Sequence, residues 1–398
     1  MRELKKNVYW VGAVDWIVRA FHGGELSTHR GSTYNSYIIK DEKTVLIDTV
    51  KEKLTDEFLQ NIKEVVDPTT IDYVVVNHAE PDHSGALPHI MKYCPNATIV
   101  VSKKGLETTK KHYHENESWN FKVVGTGDKI NIGENDIVFV EASMLHWPDS
   151  MFTYLTGENT LFSNDAFGQH YASSDIFNDM VDEDEVWQES LKYYANILTP
   201  FSKLVTKKIE ELQGMNLPID IIAPAHGVIW RKNPMDIVQK YYEWAKGNSE
   251  KSVVILYNSM YGATHKMADY IARGIGEAGL SFKIYNSATA DKNDVITDIF
   301  KSKGILLGSS TINNGILSTL SQYIEEIMGL KFINKVGASF GSYGWSGESP
   351  KVLKEYLEKA KVKVLEEPLS IKYTPTEKEL QQCVQFGKIF GEKLLKEL

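Results

Sequence analysis

Cysteine is almost absent: Cys94 and Cys383 are the only two in 398 residues. That excludes a disulfide framework and any iron–sulfur cluster held by four thiolates, and it points to the reducing cytoplasm. Long apolar runs are missing too, since no stretch approaches the roughly 18 residues of a membrane span. The start, Met1-Arg2-Glu3-Leu4-Lys5-Lys6-Asn7, leads into no apolar signal core, so no export is expected. Positive charge is in deficit: 44 Lys and Arg against 53 Asp and Glu leave a net charge of -9, which argues against nucleic acid as a partner. The remainder, 42% hydrophobic and 24% charged, is the make-up of a globular chain long enough for two cored domains.

The densest chemistry follows Val74-Val75-Val76. Tyr73–Val76 reads as a buried strand because it has no polar alternation. Pro81 and Gly85 then break the pattern, which sets His78, Glu80, Asp82 and His83 on a loop at the strand's carboxyl end, where open α/β sheets hold ligands. Two imidazoles and two carboxylates within six residues suit iron, zinc or manganese. A plain polar loop with capping Asp and Ser leaves their alternation unexplained. Three further strand ends carry one candidate each. Ile137–Ala142 leads to His146 in Leu145-His146-Trp147-Pro148-Asp149-Ser150, a hairpin return ends at Asp165, and the buried run Ile219–Ala225 ends at His226. Each is weak alone; together they are strong, since separate strands deliver ligands to one end of a sheet. His22 and His29, in a Gly-containing loop, could reach an active site from above, with a surface or structural role the plainer reading; His89 reads as structural and His112 and His114 as surface.

Tyr9–Asp15, Ser36–Lys40 and Thr44–Thr49 are expected as antiparallel strands, followed by helices at Leu54–Val66, Gly85–Tyr93 and Gly105–His114 between further strands. A helix through Tyr241 and Trp244 closes the first half, and Gly247–Ser252 is a polar linker. The domains are therefore expected at 1–248 and 251–398. In the second, strands Val253–Tyr257, Phe282–Tyr285, Gly304–Leu307, Lys335–Phe340 and Val362–Leu365 alternate with helices. That repeat predicts a doubly wound parallel sheet of order 2-1-3-4-5.

Its first strand runs into Ser259-Met260-Tyr261-Gly262-Ala263-Thr264. Ser259 and Thr264 can bond phosphate oxygens while Gly262 lets backbone N–H groups close around them at a helix amino terminus. No G-x-G-x-x-G fingerprint accompanies it, so a monophosphate is implied rather than a dinucleotide. Two later strand ends, with Ser310-Thr311-Ile312-Asn313-Asn314 and Ser342-Tyr343-Gly344-Trp345, lie at the edge suited to an isoalloxazine ring, on which Tyr343 or Trp345 would stack. A helix N-cap and packed surface aromatics are the plainer alternatives.

The order H-x-E-x-D-H, then a distant His, Asp and His, resembles the metallo-β-lactamase superfamily. Glu80, where its zinc hydrolases usually carry histidine, is similar to the flavodiiron (A-type flavoprotein) branch. His-Trp-Pro-Asp-Ser-Met at 146–151 and the flavodoxin-like half extend the resemblance over nearly the whole chain. It implies an N-terminal metallo-β-lactamase-like αββα sandwich followed by a flavodoxin-like domain. It also implies noncovalent FMN and two iron ions, one on His78, Glu80 and His146, the other on Asp82, His83 and His226, with Asp165 bridging. Three carboxylates against two ferrous ions leave one positive charge, which a bridging hydroxide would cancel.

The expected activity is reduction of O2 to water, of NO to nitrous oxide, or both, by a head-to-tail homodimer or a dimer of such dimers. No side chain is assigned as nucleophile or base; His170, close after Asp165, is the candidate pocket residue, with Trp147, Tyr193 and Tyr194 as further candidates for the lining. With two cysteines there is no fused rubredoxin, so the donor must be external, either rubredoxin or a reduced deazaflavin coenzyme. The rival readings are a zinc-dependent hydrolase fused to an electron-transfer module and a carrier with a vestigial metal site.

Overall fold

The β-branched run forms part of the strand Ile71–Val76, inside a seven-stranded sheet. In the computed structural model, which describes residues 2–114 and 117–398, the first four strands of that sheet are antiparallel. The last four, Thr44–Ile47, Ile71–Val76, Thr98–Ser102 and Asn120–Val124, run parallel. A second sheet of five strands, from Lys129–Asn131 to Ile221–Pro224, faces the first. Val45, Ile47, Val75 and Val100 meet Phe139, Met151, Leu155 and Phe162 in one buried cluster between the sheets. Leu46 and Val74, pointing the other way, are also fully buried. Both faces of these strands are therefore covered, which is why they read as unbroken apolar runs. This is the αββα sandwich.

Direction of travel decides where the chemistry falls. Ile71–Val76, Asp136–Glu141, Thr160–Asn164 and Ile221–Pro224 each end just before a ligand candidate. Thr160–Asn164 and Ile221–Pro224 are parallel, and Met151–Leu155 pairs antiparallel with both Thr160–Asn164 and Asp136–Glu141. All three exits of the second sheet consequently share one edge.

Three expectations need correction. Tyr9–Asp15 is two strands, Val8–Trp10 and Ala13–Asp15, in different sheets. The chain crosses Tyr34–Asn35 between them, and a Cβ on Gly12 would lie 2.2 Å from the Tyr34 carbonyl oxygen. Of the helix expected at Gly85–Tyr93 only the turn Leu87–Ile90 forms, and a separate turn, Pro81–Ser84, precedes it, so Asp82 and His83 sit on helix rather than loop. A Cβ on Gly85 would lie 2.6 Å from Glu52 N, and that close approach marks the break. The last strand of the second half is also divided. Lys363–Val364 pairs with Val336–Gly337, and after Glu366-Glu367-Pro368 the ladder resumes as Leu369–Lys372.

The chain divides into two compact units, Met1–Tyr193 with Phe201–Tyr242, and Tyr194–Pro200 with Glu243–Leu398. The second holds a parallel sheet in the order Ser281–Asn286, Glu250–Asn258, Ser302–Ser310, Val336–Tyr343, Lys363–Val364, which is 2-1-3-4-5. Tyr194, considered above as a pocket residue, packs here against Trp244 and Phe300, with centroids 5.4 and 5.7 Å away. Among the described residues, no helix is long and apolar enough to cross a membrane.

Helices Ala263–Glu277 and Glu377–Leu394 cover the core cluster of this unit and touch backbone to backbone. A Cβ on Gly387 would lie 2.0 Å from the Ile271 carbonyl oxygen, and one on Gly274 the same distance from that of Val384. Neither obstacle is a flexible side chain, so the helices must separate to admit a methyl group. Gly387→Ala is expected to destabilise this unit by about 1–3 kcal/mol, despite alanine's better helix propensity. Urea unfolding followed by circular dichroism measures it; an unchanged or higher midpoint would contradict this packing.

Candidate metal centre and flavin site

The seven ligand candidates converge as two clusters of metal-ligating atoms, His78, Glu80, His146 and Asp165 in one, Asp82, His83 and His226 in the other. Asp165 stands between them. Its Oδ2 lies 3.4 Å from His146 Nε2 and 3.9 Å from His78 Nε2. Its Oδ1 lies 2.9 Å from His83 Nε2 and 3.7 Å from His226 Nε2. The other carboxylates each serve one cluster: Glu80 Oε2 is 3.1 Å from His78 Nε2, and Asp82 Oδ2 is 3.1 Å from His226 Nε2. His78, His83, Asp165 and His226 are buried, while Glu80 and His146 are partly open.

Electrostatics inside the pocket are steep. Burial alone would raise the Asp165 carboxyl, but His83 and His146 outweigh it and hold that group well below its ordinary range. Glu80 is likewise pushed up by burial and brought down by hydrogen bonds from His22 and His78, ending at about 2. Burial pulls His83 down, and the Asp165 and Asp82 charges carry it up to about 9. His78 behaves the same way: burial lowers it, and its hydrogen bonds to Asp149 and Glu80 carry it well above the ordinary imidazole value. Hydrogen bonding remains incomplete nonetheless. Asp82 Oδ1, Asp165 Oδ2 and both ring nitrogens of His83 are buried with no well-formed hydrogen bond. Native interiors seldom leave such atoms unpaired without a ligand to take them.

The remaining candidates surround these clusters without joining them. His170 stacks on Phe21 at 4.3 Å and lies 4.8 Å from His226, with Nδ1 2.9 Å from Ser32 Oγ. Burial pushes it well below the usual imidazole value, so it is neutral. Tyr193 lies 5.2 Å from His170. Trp147, 44% exposed, has its ring 5.9 Å from His78. His22 reaches Glu80 Oε1 at 3.4 Å.

In the second unit the three loops meet through hydroxyls. Thr264 Oγ1 is 2.8 Å from Ser342 Oγ and 3.0 Å from Ser310 Oγ, and Met260 N donates to Ser310 Oγ at 3.3 Å. Ser259 Oγ is buried with no partner. Gly262 has φ 85°, the left-handed turn that starts helix Ala263–Glu277. Asn313 and Asn314 also have positive φ, within the 311–315 turn. Tyr261, Trp345 and Tyr373 are exposed at 94, 88 and 64%. Tyr373 was missed in the sequence because it follows the resumed strand; its N–H donates to the Tyr343 carbonyl at 2.7 Å.

Comparison with known proteins agrees with this arrangement. Residues 32–227 match the family described as ODP family beta lactamase, and residues 255–387 match flavodoxin. The chain is 48% identical over 388 residues to the anaerobic nitric oxide reductase flavorubredoxin of Salmonella typhi, covering 97% of this chain and 81% of that one. Its fold superposes on rubredoxin oxygen:oxidoreductase from Desulfovibrio gigas with a TM-score of 0.97 and 36% identity, covering 99 and 98% of the two chains. For the flavodiiron protein of Giardia intestinalis the TM-score is 0.95 and the identity 35%, over 100 and 97%. With this identity over most of both chains, the protein belongs to the flavodiiron family and is an oxidoreductase.

Proposed function

We propose that the protein reduces NO to nitrous oxide, O2 to water, or both, at two iron ions supplied with electrons through FMN. The observation that carries this is Asp165, which offers one carboxylate oxygen to each of two clusters. That arrangement fits a pair of ions, and Glu80 in place of a histidine favours a redox pair over the zinc hydrolase. The donor set of four imidazoles and three carboxylates, with four of its buried polar atoms unpaired, fits two divalent ions. One ion would take His78, Glu80 and His146, the other Asp82, His83 and His226, with Asp165 shared. The unpaired Ser259 hydroxyl, with Thr264 and the helix amino terminus, fits the phosphate of FMN. Ser310–Asn314 and Ser342–Trp345 would hold the ring. When bound, the flavin and the two irons supply the electrons for either reduction.

The chain's own residues set the geometry for that chemistry. Asp149 holds the far side of His78, both its oxygens lying 3.1 Å from Nδ1, and accepts from Ala79 N at 2.9 Å. His226 donates its Nδ1–H to the Thr33 carbonyl at 2.6 Å. In both rings Nε2 is thereby left facing the pocket, the orientation a ligand needs. The relative from Salmonella typhi supports NO as substrate, and the structure from Desulfovibrio gigas supports O2. The family resemblance supports a head-to-tail homodimer, or a dimer of such dimers, and an external donor, rubredoxin or a reduced deazaflavin coenzyme. The two free, buried cysteines agree with a cytoplasmic setting.

Metal and flavin content of protein purified without oxygen tests the reading first, followed by NO and O2 consumption. Two irons and one FMN per chain, with no peroxide released, is the expected result; zinc with peroxide release would favour the hydrolase. Asp165→Ala is expected to lose iron and gas consumption while keeping FMN. Thr264→Ala is its mirror, with weakened FMN and intact iron. Asp149→Asn should weaken iron binding about 10- to 100-fold, read by competition with a chelator. Retention of full affinity would show that His78 needs no orienting carboxylate.

A further inference from the structure

Both proposed reductions consume protons. O2 takes four electrons and four protons to give two waters; two NO take two electrons and two protons to give nitrous oxide and one water. The cluster of Asp82, His83 and His226 is the closed side of the pocket, with both imidazoles 1% exposed. A buried acid lies behind it. Asp15 is 3% exposed, and its Oδ1 accepts from the N–H groups of Ile17 and Val18 at 3.3 and 3.1 Å. Its Oδ2 is paired with the Lys53 ammonium, on a side chain 48% exposed. Its chain neighbours Val14 and Trp16, with Glu57 and Asn61, line a cavity of about 570 Å3. Burial and the Asp15 charge raise the carboxyl of Glu57, which lines that cavity.

On the inner side, Ala13–Asp15 pairs antiparallel with Ser32–Tyr34, placing Asp15 opposite Ser32 and Ala13 opposite Tyr34. Opposite and alternate residues share a face, so Asp15, Ser32 and Tyr34 lie on one side of the ribbon. The Tyr34 hydroxyl is fully buried without a well-formed hydrogen bond. Burial and the nearby Asp15 and Asp82 charges push it far above the ordinary phenol value, so it keeps its proton. The Tyr34 ring stands edge-on to His226 at 5.6 Å. Ser32 Oγ lies 2.9 Å from His170 Nδ1 and 3.5 Å from His226 Nδ1.

We propose that Asp15 is the outer end of a proton route that runs from the Lys53 surface through the Tyr34 and Ser32 hydroxyls to the closed side of the metal pocket. The proposal rests on the diiron reading above. A proton from solvent is taken up on an Asp15 oxygen and handed inward, over bridging waters where side chains do not touch, past His226, whose Nδ1–H stays on the Thr33 carbonyl, to end on an oxygen atom of the gas being reduced. Each hydroxyl accepts a proton on its oxygen and releases its own inward, so neither changes charge and no electron moves. Asp15, Tyr34 and Ser32 are positioning and relay groups; none is assigned contact with substrate.

Asp15→Asn keeps the shape and an oxygen for the Ile17 and Val18 N–H groups, and Tyr34→Phe removes only a hydroxyl that makes no well-formed bond. The first readout needs no turnover. Apoprotein is mixed with Zn2+, and protons displaced from the pocket are followed with an indicator dye in stopped flow. Release is expected to slow about tenfold in both variants, with unchanged zinc content, and Asp15→Glu is expected to recover part of the rate. In the iron- and FMN-loaded protein, reoxidation by NO or O2 should slow with a larger solvent deuterium isotope effect, while flavin reduction stays unchanged. Wild-type release in both variants would assign proton uptake to the His22–Glu80 side and overturn the proposal; so would loss of zinc, which marks a structural role. If the diiron reading itself fails, the unsubstituted protein consumes neither gas, while the zinc experiment still reports on the route.

Discussion

Three carboxylates lie in one largely buried pocket, and a buried carboxylate with no cation beside it costs several kcal/mol. The chain answers it with four imidazoles from three strand exits, His78 and His83 sharing the one after Ile71–Val76, and each has its Nε2 near an acid. Much of the first unit follows from it. The two sheets must end at a common edge, or His78 and His226 could not approach one carboxylate. Asn77 and Asn164 must then be tied down as well, and the buried Asp48 accepts from both side chains at 3.0 and 3.2 Å. Burial raises Asp48, whereas its neighbours in the pocket fall, which separates a structural acid from acids poised for cations.

How much of this was legible in the sequence differs by residue. His78, Glu80, Asp82 and His83 announced themselves because the residue types alternate directly after an apolar strand. His146, Asp165 and His226 were found by position, as polar residues at strand ends, and their convergence depends on strand direction, which a sequence shows only through the order of its elements. The Asp15–Ser32–Tyr34 face was invisible. Its members have no characteristic spacing, and they are neighbours only through the antiparallel pairing of two three-residue strands. The break at Gly12 hid it further, because Tyr9–Asp15 looks continuous until the crossing of Tyr34 is known. The helix at Pro81–Ser84 was missed for a local reason: proline reads as a breaker but suits the first turn of a helix.

The second unit was more readable because parallel βα repeats leave little topological freedom. Its site still required three-dimensional information. Thr264, Ser310 and Ser342 come from separate loops, and only the adjacency of Glu250–Asn258, Ser302–Ser310 and Val336–Tyr343 brings their hydroxyls together. Small hydroxyl side chains leave room at the head of the helix, where a larger residue would fill the space an anion needs. The proline-marked gap at 366–368 resets the ladder so that Leu369–Lys372 runs beside Phe340–Tyr343 and delivers Tyr373 to the same edge.

Glu80 ties the ligand pattern to the type of reaction. With it, each cluster has two imidazoles and one carboxylate of its own, plus one oxygen of Asp165. A histidine at position 80 would remove one negative charge from the first cluster only and leave the second unchanged. Two ions held by unequal charge differ in how readily each gives up an electron, since anionic oxygen favours the higher oxidation state. Such an asymmetry suits a hydrolase, in which one ion holds the nucleophile and its partner polarises the substrate. Under the proposed diiron reading, equal ligand sets would make the two ions near-equivalent donors, which suits delivery of two electrons to one small molecule or one to each of a pair. Glu80 is thus the residue that balances the charge of the two halves of the pocket.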